Sequence, residues 1–406
     1  MEDQKWKSLE DYRAQVWGCA RCNWCQNMFG WNVQSARFSE ICPAFYDKRL
    51  APYSGMGKMH ISRALLEEEF GYEDSPQLVD IAYRCTLCGA CMMNCQRIQE
   101  KEPARVTEAL RAELVERAMV LPEHKAFLKS TAKYYNPFDV PKKERLRWTS
   151  DLDFAIKDLN KEKAKVLFYV GCMYGLESKL VETTKVFARI LHAAGVDFGI
   201  LGAEEKCCGM EQYKIGERGL FEMLAEENLE MINRLGIDTL VTSCPHCYRA
   251  FETHYPAIGK MNFEAMHFTQ FLKKLITEGT VKLKELPRQT VTYNDPCNLG
   301  RWCGEYAAPR EVLESIKGIE LREMERNCDQ AWCCGAGGGV LTAFPDFATS
   351  TAEVRVAEAE ATGASVMATA CPFCEYNLVN ATELLHSRME VLDIAQIVLK
   401  SMTEGK

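Results

Sequence analysis

Twenty cysteines are spread through the 406 residues, and their spacing is the part of the chain that could do chemistry. One set runs Cys172, Cys207-Cys208-Gly209 and Cys244-Pro245-His246-Cys247. A second runs Cys297, Cys333-Cys334-Gly335 and Cys371-Pro372-Phe373-Cys374. The lone cysteine precedes the pair by 34 and 35 intervening residues, and the pair precedes the CxxC by 35 and 36. Matching landmarks stand 125 to 127 residues apart, which implies one domain duplicated. Five thiols per copy exceed the four that a tetrahedral zinc site takes. So many soft thiolates point to an iron–sulfur cluster. Of two adjacent cysteines, one can reach an iron while its neighbour bridges two, and Gly209 and Gly335 would permit the tight backbone this needs.

A different pattern precedes these. Cys85-x2-Cys88-x2-Cys91-x3-Cys95 is the bacterial ferredoxin run for a [4Fe–4S] cubane, whose fourth cysteine serves the other cluster in two-cluster proteins. Cys19, Cys22 and Cys25 repeat the triplet, with Cys42-Pro43 as the displaced fourth member. The crossed rule groups Cys19, Cys22, Cys25 and Cys95 around one cubane and Cys42, Cys85, Cys88 and Cys91 around another. Zinc knuckles are the alternative, although zinc sites seldom use CxxCxxC triplets.

The doubled spacing Cx(31–39)CCx(35–36)CxxC, placed after two ferredoxin-like triplets, resembles the catalytic subunits of heterodisulfide reductases, and the D-type subunit most of all. Similar CCG subunits occur in glycolate-oxidising, glycerol-3-phosphate-oxidising and anaerobic acyl-CoA-reducing complexes. The resemblance implies a non-cubane [4Fe–4S] cluster on the five cysteines of each copy, Cys172, Cys207, Cys208, Cys244 and Cys247, then Cys297, Cys333, Cys334, Cys371 and Cys374. In some relatives one copy holds zinc or nothing. It implies a disulfide cleaved between the two non-cubane clusters, with Cys208 and Cys334 at the catalytic loops. The implied partners are a flavin-containing subunit or ferredoxin-like donor, other subunits of a redox complex, and in D-type relatives a membrane cytochrome. Two other readings stand beside this one: a relay subunit without its own substrate in a flavin-based or acyl-CoA reductase complex, and a zinc-stabilised scaffold.

The elements that must position these cysteines change along the chain. Met59–Leu66 and Thr107–Val115 repeat apolar residues at helical spacing, so residues 1–133 read as an α-helical ferredoxin domain. Residues 134–164, with Pro137, Pro141 and charged runs such as Lys142-Lys143-Glu144-Arg145, read as a linker. From residue 165, short apolar strands end at cysteines: 165–171 at Cys172, 239–243 at Cys244, 291–293 before Cys297 and 365–370 at Cys371. Helical patterns at 180–193 and 221–235 lie between them. Alternating strand and helix predicts parallel α/β units whose loops gather at the carboxyl ends of the strands. The fold class expected is α+β / α/β: the helical ferredoxin domain, then small CCG domains at 165–282 and 283–406 related by a pseudo-twofold.

Composition narrows the function classes. The net charge is −8, with no basic footprint for nucleic acid. The opening residues are polar and the thiol load suits a reducing compartment, so a cytoplasmic protein is expected, peripheral at the membrane's inner face only through a partner. No Ser-His-Asp or paired-carboxylate constellation competes with the metal reading. Gly337-Gly338-Gly339 lacks the spacing and preceding strand of a dinucleotide loop. Cys303 and Cys328 have no counterparts in the first copy and read as structural thiols. His246 reads as a surface or helix-capping residue. Trp24, Trp302 and Trp332 neighbour ligands and are expected to shield clusters from water.

Overall fold

A computed structural model describes residues 6–402 of the chain. Before Lys157 the described backbone is helical or irregular, apart from an isolated bridge between Asn27 and Glu40. The helix Gly55–Leu66 begins ahead of its apolar spacing because the Ser54 hydroxyl accepts the Gly57 N–H at 3.1 Å. The helix Pro103–Glu116 opens on proline, which costs nothing where the N–H is unpaired anyway. Their inner faces bury Met59, Leu65, Val106, Leu110 and Leu114 with Leu78 and Tyr83, and Ile215 from much later in the chain joins them. Each such side chain contributes about 1.5–3 kcal/mol of burial.

Residues 134–164 carry the charge of a solvated linker, yet a few of their side chains turn inward. The 3₁₀-helix Lys142–Thr149 puts residues three apart on one side, so Arg145 and Trp148 turn inward together, at 3% and 1% exposure. The short strand Lys157–Asp158 (β1) then joins a sheet.

Two parallel sheets follow. The first contains β1, Val166–Phe168 (β2), Phe198–Ile200 (β3), Thr239–Thr242 (β4) and Glu264–His267 (β5), in the order β1-β3-β2-β4-β5. The second contains Gln289–Tyr293 (β6), Ile319–Leu321 (β7), Val366–Thr369 (β8) and Glu390–Asp393 (β9), in the order β7-β6-β8-β9. Every strand pair is parallel, so helices must cross over between strands and cover the faces. Setting β1 aside, the two sheets have one topology. The repeat extends to detail: the helices Phe268–Thr277 and Ile394–Ser401 both start with a capping box, His267 with Gln270 and Asp393 with Gln396.

The copies exchange these last helices. Ile394–Ser401 packs on Val181–Ala193 of the first copy, and Phe268–Thr277 packs on Ala307–Glu314 of the second. Such reciprocity is what a twofold relation produces. Phe168, Phe187, Tyr293, Val366 and Ile394 accordingly share a single core.

Candidate metal centres and the cavity beside them

In the helical part the cysteines separate into two groups around enclosed voids. Cys19, Cys22, Cys25 and Cys95 line one, closed by Trp24, Met56, Met59 and Pro103. Cys42, Cys85, Cys88 and Cys91 line the other, with Ile41, Ala44, Ala90 and Lys58. Gly55 separates them: a Cβ there would stand 2.9 Å from the Cys91 Cβ and 3.2 Å from the Cys25 Cβ. Burial pushes the Cys25 and Cys95 thiols up to about 11 and Cys42 to about 12, so each group needs added positive charge to hold thiolates. Four sulfur donors around an apolar void fit an iron–sulfur cluster in donor chemistry. Among the described residues no three His, Cys, Asp or Glu side chains close on a point as ligands of one ion do; these cysteines surround a volume.

The CCG cysteines come from loops at the carboxyl ends of the strands. Cys172 opens a helix just after β2, Cys244 caps the helix that follows β4, and Cys371 does the same after β8. Side-chain contacts link Cys172, Cys207, Cys208, Cys247 and Cys244 in that order. The same succession links Cys297, Cys333, Cys334, Cys374 and Cys371, with the Cys374 and Cys334 sulfurs 3.2 Å apart. The neighbouring thiols of Cys207 and Cys247 hold Cys208 down at about 6. Gly335 shows why glycine follows the pair: φ is +90° and a Cβ would fall 2.3 Å from the Ala348 carbonyl oxygen.

The four groups adjoin one another. Cys333 touches Cys88 as well as Cys297, so the second copy abuts the helical part. The glycine run of the second copy packs there too, where a Cβ on Gly338 would meet Thr86 and Cys85 at 3.0–3.1 Å. Cys244 of the first copy lies close enough to Cys371 of the second to act on its thiol, which burial pushes up to about 11.

A cavity of about 850 Å³ opens at the first copy, with Cys172, Cys207, Cys208, Cys244 and Cys247 in its wall. Phe127, Lys129 and Lys133 of the helix Pro122–Tyr134 form another side, and Phe373, Tyr376 and Asn380 of the second copy a third. Cys334 is not part of this wall; it is buried in the second copy's own core. His246 is not at the surface as expected. It is 3% exposed, lines the cavity, and meets Phe373, its counterpart in the second CxxC, with ring centroids 4.4 Å apart. Its Nε2 lies 3.3 Å from Glu211, which also accepts the Gly339 N–H at 2.9 Å. Burial pushes the Glu211 carboxyl up, but Lys214 at 3.1 Å and His246 outweigh it and bring it to about 2.

Several buried cations escaped the sequence reading. Arg145 donates to the Cys172 sulfur at 3.3 Å and pairs with Glu205 at 3.0 Å. Its place in a run of charges reads as solvated, so nothing local signals this role. Arg301 donates to the Cys88 carbonyl at 2.7 Å, and its position four residues after Cys297 was a usable hint. Arg111 donates to carbonyls of Ala82, Tyr83, Cys85, Lys214 and Gly338, binding the helical part to both copies. Trp24 closes the first void, and Trp302 donates to the Leu87 carbonyl at 3.0 Å beside the ferredoxin-like turn. Trp332 is buried, donating to the Thr351 carbonyl. Cys303 packs between Trp302 and Tyr293-containing cores, and neither it nor Cys328 joins a cysteine group.

Comparison with known proteins agrees with the duplication. The cysteine-rich CCG domain family matches residues 166–252 and 291–379. The D-type subunit of dihydromethanophenazine:CoB–CoM heterodisulfide reductase from Methanosarcina barkeri is 33% identical, over 95% of this chain and 93% of its own. An EtfAB:quinone oxidoreductase from Syntrophomonas wolfei is 29% identical over 99% of this chain and 60% of its own. The crystal structure of a hypothetical protein from Helicobacter pylori shares the fold, with a TM-score of 0.55 and 12% identity over 86% of this chain and 68% of that one. No helix among the described residues is long and apolar enough to cross a membrane. The chain therefore belongs to the family of D-type heterodisulfide reductase subunits, as an iron–sulfur electron-transfer oxidoreductase subunit.

Proposed function

We propose that the chain carries electrons through two cubanes and two non-cubane CCG clusters to a disulfide held in the 850 Å³ cavity. The observation that carries this reading is the succession of adjoining cysteine groups. It runs from Cys25 past Gly55 to Cys91, from Cys88 to Cys333, and from Cys371 to Cys244 in the cavity wall. In this reading residues 1–133 form the ferredoxin-type domain, 134–164 a linker that turns Arg145 and Trp148 inward, and 165–282 and 283–406 the CCG domains. The ligands are Cys19, Cys22, Cys25 and Cys95; Cys42, Cys85, Cys88 and Cys91; and the five cysteines of each CCG copy.

When bound, such clusters supply one-electron steps and an iron able to take a thiolate. The chain's own residues do the rest. Apolar side chains line the two voids between the thiols, while Cys22 of the first group reaches the surface. Phe127, Phe373 and Tyr376 give the substrate an apolar seat beside Cys208, while Lys129 and Lys133 at its edge favour a substrate with anionic ends. His246 and Glu211 are buried polar groups on the wall beside the thiols. Because Cys208 lines the cavity and Cys334 does not, Cys208 is the catalytic cysteine we favour, with Cys334 supporting electron delivery.

Anaerobic metal analysis should find about 16 iron and 16 sulfide per chain. About eight iron with two tightly held zinc would sink the double non-cubane assignment. Reduced chain should cleave a small anionic disulfide; clusters that reduce while no disulfide reacts would favour a relay in a larger complex. The likeness to an EtfAB:quinone oxidoreductase supports that second reading, with a flavin subunit or ferredoxin-like donor as partner.

A further inference from the structure

The two cysteine groups of the helical part differ in their buried charge. Three cations surround Cys42, Cys85, Cys88 and Cys91, and no carboxylate pairs with any of them among the described residues. Lys58, 1% exposed, lines the void and donates to the carbonyls of Tyr53 and Ser54. Arg111, fully buried, reaches the Cys85 carbonyl. Arg301, 6% exposed, reaches the Cys88 carbonyl at 2.7 Å and the Ala331 carbonyl at 2.7 Å, and its Nη2 is buried without a partner. The nearby carboxylates are already engaged, Glu108 by Arg249 at 2.9 Å and Glu211 by Lys214 at 3.1 Å. Other buried arginines do have acids: Arg145 has Glu205, and Arg326 and Arg355 share Glu358.

Among the described residues the first group has no such ring: Cys22 is exposed, and the Cys25 sulfur accepts the Met56 N–H at 3.2 Å.

Uncompensated buried charge is expensive. Three such charges at one place are explained if the missing anion is what the four thiolates hold. We infer that Lys58, Arg111 and Arg301 are potential-setting residues that hold the cubane at Cys42, Cys85, Cys88 and Cys91 at a higher reduction potential than the one at Cys19, Cys22, Cys25 and Cys95. A buried positive charge favours the more negative, reduced form of a cluster. Electrons entering at the exposed group would then collect at the inner one, next to Cys333. The inference rests on the cluster assignment proposed above and adds a direction to it.

The test is a redox titration followed by paramagnetic resonance on the whole chain. Cys22→Ser and Cys88→Ser assign the two cubane signals. Lys58→Met and Arg301→Met should each lower the inner cubane's one-electron equilibrium constant at least about tenfold, about 59 mV, and leave the outer cubane's unmoved. Lys58→Arg and Arg301→Lys should keep the native value. Should the methionine variants lose iron, Lys58→Gln and Arg301→Gln carry the same comparison. Two loaded cubanes of equal potential, or an inner potential indifferent to both neutral substitutions, overturn the inference alone. Absence of either signal from the native chain removes the cluster assignment, and this inference with it.

Discussion

Replacing Arg111 by Met should loosen the helical part from both CCG copies. The guanidinium is fully buried and donates to five carbonyls. Those of Ala82 and Tyr83 end the helix Gln77–Tyr83, where the last turn's carbonyls have no helical donors. Those of Lys214 and Gly338 belong to the first and second copies. Methionine keeps the stem's volume but supplies no donor. A hydrogen bond to a charged group contributes about 1.5–3 kcal/mol, and the five are not additive. Relief of the guanidinium's desolvation offsets part of the loss, leaving a net cost of about 3–5 kcal/mol. That is a large share of an ordinary stability of about 5–15 kcal/mol. Anaerobic urea unfolding, followed by cluster absorbance and tryptophan fluorescence, measures it. Because the main core of the helical part, which Ile215 joins, is distinct from that of the sheets, the two transitions should also move apart. A cost below about 1 kcal/mol, or transitions that stay coincident at the native midpoint, would refute the reasoning.

Gly335→Ala puts a methyl 2.3 Å from the Ala348 oxygen at a φ of +90°, so the helix Pro345–Ala361 must shift; iron should fall by about four per chain with the cubane spectrum intact. Burial pushes Asp393 to about 7 and, with Asp393 beside it, Glu375 to about 8. The folded state therefore holds protons that the unfolded chain has lost, and this stability is lost as pH rises from about 4 to about 8. His124, kept at about 4 by burial, destabilises in the opposite direction, only as pH falls below about 6.5. The melting temperature should thus drop between pH 6.5 and about 8 and level off above it, and Asp393→Asn, which retains a helix-capping side chain, should flatten that drop. Cys303→Ala should leave iron content and activity near native; loss of four irons would mean the thiol is a ligand after all.

Much of this protein was legible as sequence. A cluster is gripped by cysteines a few residues apart on one turn, so Cys85, Cys88 and Cys91 announce themselves locally, as does the doubled CCG pattern. The strands β2, β4, β6 and β8, which run into those cysteines, were legible for the same reason. β1, β3, β5, β7 and β9 were not: they have two to four residues and are defined by the neighbours they pair with. Residues 134–164 looked solvated because charge dominates their composition, whereas the placement of Arg145 and Trp148 depends on a 3₁₀ turn and a distant carboxylate, Glu205.

Residue types and spacing determined by themselves that thiolate chemistry is present, that a domain is duplicated, and which cysteines belong to each motif. Tertiary structure alone decided how those motifs differ in use. Two copies with one topology and one succession of thiols end in unlike places, the first facing the cavity and the second facing Cys88. The buried cations likewise reach their sites across the chain: Arg301 is 213 residues from the carbonyl it binds at Cys88. Covalent spacing can specify a ligand set because one turn spans it; accessibility and electric field arise from everything packed around that set, and no stretch of sequence contains them.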